Sequence, residues 1–248
     1  MKINFNKRTI FAIGFMSLII SFLFNTIIFD NKTFGSPDSL SPKAIGIALN
    51  KESEDINEFP QWQPWVFSGM PSAEAFTNIS NLYFPEYFFK IFFLSGILIQ
   101  LLHLLFAGIG CFFLLKYFKC SDWASFLGAT GFMVTPYMVT MVVFGHGSQM
   151  MTAAYIPWVL WLTVQLWEKP NLFKCGWLGI LLGFQLQRAH VQIAYYTWLM
   201  IGAYVLLMII AEIKRNEDQF KIIKKFGIFS LACVLGIGLS MLIYLPAI

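Results

Sequence analysis

Long apolar runs recur along the whole of this 248-residue sequence, and they restrict its fold more than any other feature. A helix needs about 20 mainly apolar residues to cross the roughly 30 Å of hydrocarbon in a bilayer. Only 12% of the residues are charged, against roughly 25% in a soluble domain. Lipid is therefore the solvent for most of the chain, and a soluble globular fold, a disordered chain and a coiled coil are excluded.

The apolar runs predict an all-α integral membrane protein, with a single transmembrane domain over residues 1–248 and about seven transmembrane helices. Pro136 and Pro157 predict kinks within two of these helices. The last run reaches residue 248 without a polar end, which predicts a fragment of a longer chain. The predicted spans are residues 9–29, 91–115, 123–143, 153–167, 175–187, 193–211 and 227–248.

The distribution of charge predicts the orientation. With the N-terminus in the cytoplasm, the inner segments hold twelve basic and five acidic residues, a net charge of +7. The outer segments hold five basic and eight acidic residues, a net charge of −3. This division follows the positive-inside rule. A five-span alternative makes residues 153–167 and 175–187 re-entrant; it is less favourable because it moves Lys169 and Lys174 to the outer side.

Residues 30–90 form one large predicted outer loop after the first span, whereas the other loops are short. Within it we predict a short amphipathic helix over residues 42–55, with Ser41 as its N-cap and Pro42 at its first position. Asp38 would then lie at the outer membrane boundary, where a carboxylate can accept a proton from a substrate hydroxyl. A turn-capping role is the alternative for Asp38.

Two tryptophans, Trp62 and Trp65, follow in the same loop between three prolines. Such a rigid aromatic surface can stack on the apolar face of a sugar ring. The alternative is that both side chains anchor the loop at the level of the lipid headgroups.

Two further polar clusters are predicted at the outer ends of later spans. The first contains His146, which glycines flank on both sides, and Gln149; the second contains Arg188, His190 and Gln192. Guanidinium and imidazole groups at this depth suit a phosphate or pyrophosphate. The alternatives are that Arg188 extends to lipid headgroups and that His190 caps a helix. His103, inside the second span, predicts an interhelical hydrogen bond rather than chemistry.

Four segments in the same order resemble the bacterial YfhO family of multi-spanning membrane proteins. They are Pro37-Asp38-Ser39-Leu40-Ser41-Pro42-Lys43-Ala44; Pro60-x-Trp62-x-Pro64-Trp65-x-Phe67-Ser68-Gly69-Met70-Pro71; Gly145-His146-Gly147-Ser148; and His190-Val191-Gln192-Ile193-Ala194-Tyr195-Tyr196. The resemblance covers nearly the whole chain, although members of that family are much longer. Two positions depart from the family pattern: Ala189 precedes His190 where a glycine is expected, and Gln149 stands where a lysine is expected.

The resemblance implies a fold and activity like those of the glycosyltransferase C superfamily. Such an enzyme transfers a sugar from a polyprenyl-phosphate donor to an envelope polymer, lipid or protein on the outer face of the bacterial inner membrane. It implies Asp38 as the catalytic base, with Asp30 as the second candidate. Arg188, His190 and His146 would stabilise the leaving phosphate, and Gln149, Gln192, Trp62 and Trp65 would contact substrate.

The cofactor is unknown from the sequence. Many members of the superfamily use a divalent metal, but Asp38 has no adjacent carboxylate, so no metal ligand is predicted. Membrane lipids are expected partners and nucleic acid is not. A lipid or solute transporter is the main alternative function, and it predicts polar groups near the midplane of several spans. A noncatalytic membrane scaffold is the third.

Overall fold

The computed structural model describes residues 7–30, 32–72 and 83–245, and they are almost entirely helical. Within these residues the helices are α1 (Lys7–Leu23), α2 (Asn25–Ile28), α3 (Pro37–Ile56), α4 (Phe84–Ile91), α5 (Gly96–Tyr117), α6 (Asp122–Met133), α7 (Pro136–Val143), α8 (Gly147–Ala154), α9 (Ile156–Glu168), α10 (Leu172–Gln187), α11 (Val191–Lys214) and α12 (Gln219–Tyr244). A hairpin of β1 (Trp62–Gln63) and β2 (Met70–Pro71) lies between α3 and α4.

Four helical segments of the described chain are long and apolar enough to cross a membrane. They are Gly96–Tyr117, Asp122–Val143, Val191–Lys214 and Gln219–Tyr244. The protein is therefore a helical membrane protein with several spans. Helices α1, α9 and α10 lie in three of the other predicted spans, but each is shorter than eighteen residues. The count of seven spans stays a prediction.

Both predicted kinks coincide with breaks in the helices. Helix α6 ends at Met133, and α7 begins at Pro136 after the Thr135 side chain has accepted a hydrogen bond from the Met138 N–H. Helix α8 ends at Ala154, and Pro157 lies in the first turn of α9. Proline suits the first turn because its missing N–H would have no partner there.

The two ends of the bundle have different polar contacts. At one end, which we call the basic end, Asp122 pairs with Arg8 and with Lys116, both at 2.7 Å. Glu212 pairs there with Lys225 at 2.6 Å. All five residues belong to segments predicted to be cytoplasmic. The contacts of Asp38 and Arg188 described below lie at the other end, which we call the site end.

Close helix packing depends on small residues. A Cβ atom added to Gly236 of α12 would lie 2.7 Å from the Cβ of Leu182 and 3.2 Å from the carbonyl oxygen of Gly179, both in α10. A Cβ at Gly110 of α5 would lie 2.4 Å from the Trp158 ring of α9. These contacts fix α10 closely against α12 and α5 closely against α9.

The prediction for the amphipathic helix was wrong at its N-terminus. Helix α3 begins at Pro37, so Ser41 is not its N-cap and Pro42 is not its first residue. Pro37 suits the first helical position as well as Pro42 does. Asp38 then falls in the first turn, where the helix dipole favours a carboxylate. Asp38 therefore belongs to a helix rather than to a preceding turn.

The hairpin after α3 was not predicted. Phe67, Ser68 and Gly69 all have positive φ in its turn, and the Gly69 N–H donates to the Val66 carbonyl at 2.8 Å. A Cβ at Gly69 would lie 2.5 Å from the ring of Trp62. The indole therefore packs directly on this glycine, which fixes the orientation of Trp62.

Candidate functional site

The site is centred on a contact between two of the predicted residues. His146 Nε2 lies 3.2 Å from Oδ2 of Asp38, a residue 108 positions away in the sequence. The side chains are 46% and 59% exposed respectively, so a substrate can reach both. A protonated Nε2 donates to the carboxylate, and this leaves the second carboxylate oxygen available to a substrate hydroxyl.

The two glycines beside His146 have separate structural roles. Gly145 has a φ of +89° and ends the turn after α7, a conformation that side chains rarely adopt. A Cβ at Gly147 would lie 2.4 Å from the Gln100 side chain of α5. The loop therefore lies directly on the first turns of α5, and this close approach sets the position of the imidazole.

A cavity of about 570 Å³ opens next to this loop. Its lining contains two cations, Lys32 and Lys43, and among the described residues no acidic one. Lys43 lies on α3, five residues after Asp38. The other lining residues are Ile27, Thr33, Phe34, Ser95, Gly96, Ile97, Leu98, Gln100, Val142 and Gly145.

His190 lies at the N-terminus of α11 and is electrostatically coupled to His146. Burial lowers the pKa of His190, and repulsion from His146 lowers it further. A backbone hydrogen bond has the opposite effect and raises the pKa. Its side chain makes no capping hydrogen bond to α11, which is against the capping alternative. The sequence thus identified two histidines whose charges influence each other in the fold.

Arg188 has other contacts. It is 7% exposed, its guanidinium lies 4.6 Å from the centre of the Tyr83 ring, and its Nη1 is 4.0 Å from Oε2 of Glu86. The arginine is therefore buried under α4 rather than extended to headgroups. It does not line the lysine-containing cavity, and its predicted contact with a phosphate stays a prediction.

Gln149 and Gln192 form hydrogen bonds at the surface. The Gln149 amide donates to the Tyr137 hydroxyl at 2.9 Å, and the Gln192 amide donates to the Tyr196 hydroxyl at 3.0 Å. Each bond joins residues of the same helix or of neighbouring helices. Neither contact involves Asp38 or His146, and the role of the two glutamines in binding substrate stays a prediction.

Trp62 and Trp65 are both about half exposed, at 54% and 50%. They lie in the β1 strand and in the turn that follows it. Part of the Trp62 ring packs on Gly69. The rest of the ring is therefore exposed in a fixed orientation. This arrangement suits either sugar stacking or contact with the lipid interface.

The sequence did not predict a buried polar network beside Arg188. The Tyr83 hydroxyl lies 2.6 Å from His103 Nε2 and is hydrogen-bonded to the hydroxyl of Tyr155. His103 Nδ1 is 2.7 Å from the carbonyl oxygen of Ile99, so Nδ1 carries the proton, Nε2 accepts from Tyr83, and Tyr155 donates to Tyr83. His103 thus has satisfied hydrogen bonds, as predicted, but its partner belongs to the segment before α4. The network forms between residues that are far apart in the sequence, so no local sequence pattern predicts it.

Gln187 supports the same region. Its Oε1 accepts from the Phe84 N–H at 3.1 Å, and its Nε2 donates to the Leu239 carbonyl at 2.9 Å. The side chain therefore joins the first turn of α4 to α12 through the end of α10. Together with Tyr83 it fixes the C-terminal end of the long loop to the helices.

Metal ligands are few at this site. Across the described residues, no group of three or more His, Cys, Asp or Glu side chains is arranged to hold a metal ion. Asp38 and His146 alone offer two ligands, fewer than a divalent cation usually takes from a protein. We therefore derive no step through a metal.

Comparison of the chain with protein-family models, with curated proteins and with solved structures found no match in any of the three. The resemblance to the YfhO family stays an expectation from the four motifs.

Proposed function

We propose that this protein is a membrane glycosyltransferase that transfers a sugar from a polyprenyl-phosphate donor to an acceptor hydroxyl in the bacterial cell envelope. In this proposal the N-terminus is cytoplasmic, about seven helices cross the inner membrane, and the site end faces outward. The net charges of +7 and −3 in the two sets of segments support that orientation. The four motifs shared with the YfhO family support the reaction type.

The contact between Asp38 and His146 carries the proposal. The fold brings together a carboxylate and an imidazole at 3.2 Å, both open to solvent, from motifs that the resemblance had marked independently. A carboxylate held by an imidazole is suited to general-base work. The adjacent cavity has room for a substrate and two lysines in its lining.

The reaction would be a substitution at the anomeric carbon. Asp38 accepts the proton of the acceptor hydroxyl while that oxygen forms the new bond to the anomeric carbon. The bond between this carbon and the phosphate oxygen breaks, and its electron pair leaves with the polyprenyl phosphate. His146 keeps the carboxylate oriented, and a neutral His190 can donate its ring N–H to an oxygen of the leaving phosphate.

The other predicted residues have supporting roles in this proposal. Trp62 and Trp65 present aromatic faces on which the sugar of the acceptor or donor can stack. Arg188 stays the third candidate for contact with the phosphate. Its stacking on Tyr83 also holds α4 in place.

We expect replacement of Asp38 by Asn to leave donor binding intact and to lower turnover about 10²–10⁴-fold, because the amide keeps the shape of the side chain but cannot accept a proton. Transfer is measured with purified protein in liposomes containing polyprenyl-phosphate sugar. Asp55→Asn, at an exposed acid of the same helix, is the matched control and should transfer normally.

Two outcomes would contradict this assignment. Normal transfer by Asp38→Asn together with loss in Asp30→Asn would make Asp30 the base. Normal transfer by both variants would show that neither aspartate is the catalytic base. In cells, deletion of the gene should cause polyprenyl-phosphate sugar to accumulate in lipid extracts, and unchanged lipid profiles would contradict the proposed function itself.

A further inference from the structure

A second cavity lies between α1 and α5 and shares one lining residue, Leu98, with the first. This apolar groove has a volume of about 280 Å³. The residues that line it are Ser17, Ile20, Ser21, Ile28, Leu94, Leu98, Leu101, Leu102 and Leu105. From Leu98 to Leu105 it follows α5 for about 10 Å. The groove therefore follows part of α5, and its lining is mainly apolar.

The groove and the lysine-containing cavity adjoin each other. Leu98 lines both of them, and the neighbouring residues Ile27 and Ile28 line the cavity and the groove respectively. Helix α5 begins at the cavity, and the lining of the groove extends along the same helix as far as Leu105. A ligand could therefore occupy both with one polar end and one apolar end.

The charges that line the cavity indicate which polar group a ligand would place there. Lys32 and Lys43 are the charged residues of the described cavity lining. Asp30 lies 3.4 Å from Lys32 but does not line the cavity, and no ion pair involves Lys43 within the described residues. The cavity also contains the N-terminus of the 22-residue helix α5, whose dipole favours an anion. An anionic group is the matching ligand.

We propose that the cavity and the groove form one site for a lipid phosphate, with the phosphate at Lys32 and Lys43 and the hydrocarbon chain in the groove between α1 and α5. The identification of that lipid as the sugar donor rests on the proposed function, but the site does not. It lies next to the pair of Asp38 and His146, so a sugar attached to the phosphate would extend towards the carboxylate. Arg188 is not needed for this placement.

Binding to the whole chain in lipid nanodiscs tests the proposal by native mass spectrometry. The probes are a polyprenyl phosphate without sugar, the corresponding polyprenol and inorganic phosphate. We expect the polyprenyl phosphate to bind, the polyprenol to bind at least tenfold more weakly, and inorganic phosphate to compete poorly because it cannot fill the groove. Equal binding of the polyprenol, or efficient competition by inorganic phosphate, would overturn the proposal.

Variants test each part of the site separately. Lys43→Gln should weaken polyprenyl-phosphate binding about tenfold to a hundredfold, because it removes a charge-assisted contact, and Lys43→Arg should restore most of it. Lys51→Gln, at an exposed position of the same helix, is the control. Ser21→Phe should fill the groove and weaken binding, whereas Leu18→Phe, at an exposed position of α1, should not.

The outcomes separate this site from the proposed reaction. If Lys43→Gln and Ser21→Phe weaken lipid binding but no sugar transfer is found in the wild type, the site stands and the transferase function fails. If transfer is found and neither variant changes binding, the function stands and this site is wrong. Retained binding with lost transfer in Asp38→Asn agrees with both.

Discussion

At the scale of single residues, Asp38 and His146 could each be recognised from the sequence, but their contact could not. Asp38 was marked by its position after the first span, and His146 by its flanking glycines. Their distance of 3.2 Å depends on where α3 begins and on the approach of Gly147 to Gln100. A helix start that differs by five residues would rotate and displace the carboxylate, which is why sequence patterns alone do not predict such a pair.

The cluster of Tyr83, His103 and Tyr155 escaped prediction for a related reason. Each residue type is common in apolar membrane segments, and the contacting positions are separated by 20 and 72 residues. His103 alone gave a signal, because an imidazole in a span needs a partner. The sequence therefore predicted that a hydrogen bond exists and not which residue makes it.

A pH effect on stability is expected from His190. Burial lowers its pKa below the ordinary value of 6.5 in the folded protein, so the unfolded chain binds a proton more readily. The contribution of His190 to stability is therefore fully present above this ordinary pKa. It decreases as the pH falls below that value. The Tm of the wild type should fall more than that of His190→Asn when the pH is lowered from about 7.5 to about 5.5. Parallel decreases in both proteins would contradict this expectation.

At the scale of helices, hydrophobicity predicted the helical class and four long apolar helices, because a membrane leaves the backbone few alternatives to a helix. It did not predict α4 or α8 as separate helices. The ends of the helices were harder. Helix α3 began earlier than predicted because two prolines, Pro37 and Pro42, could each occupy the first position. The hairpin at Trp62–Pro71 has strands of only two residues, too short to show a period in the sequence.

Packing between α10 and α12 gives a sharp test at this scale. Gly236→Leu should destabilise the protein by roughly 1–3 kcal/mol, because the added side chain meets Leu182 and the backbone of α10. Gly238→Leu is the matched control on the same helix, since no atom lies within 4 Å of its added Cβ. Thermal unfolding in detergent compares the two variants, and equal Tm values would show that this interface tolerates larger residues.

At the scale of the whole molecule, the contacts support the division of charges in the sequence. Arg8, Lys116 and Asp122 meet at the basic end, although α1 and α6 are far apart in the chain. Asp38 and His146 meet at the other end. Two sets of residues assigned to opposite sides by counting charges are thus also separated in space.

Cysteine labelling shows which side of the membrane each end of the bundle faces. In a background without the four native cysteines, a cysteine at Ser53 should react with an impermeant thiol reagent added outside the cell, and one at Asn216 should react only after the membrane is opened. The positive-inside rule predicts this result. The reverse pattern would invert the protein and place the pair of Asp38 and His146 in the cytoplasm.

The attachment of Tyr83 has a consequence for how the protein can diversify. Tyr83 and Gln187 hold the start of α4 against the bundle, while the contact between Asp38 and His146 holds the start of α3. Between these two attachments, the described residues include the exposed hairpin with Trp62 and Trp65 and few of the buried core residues. Under the proposed function, substitutions in the hairpin would change acceptor recognition at little cost to the folding of the helices, while the pair of Asp38 and His146 stays in place.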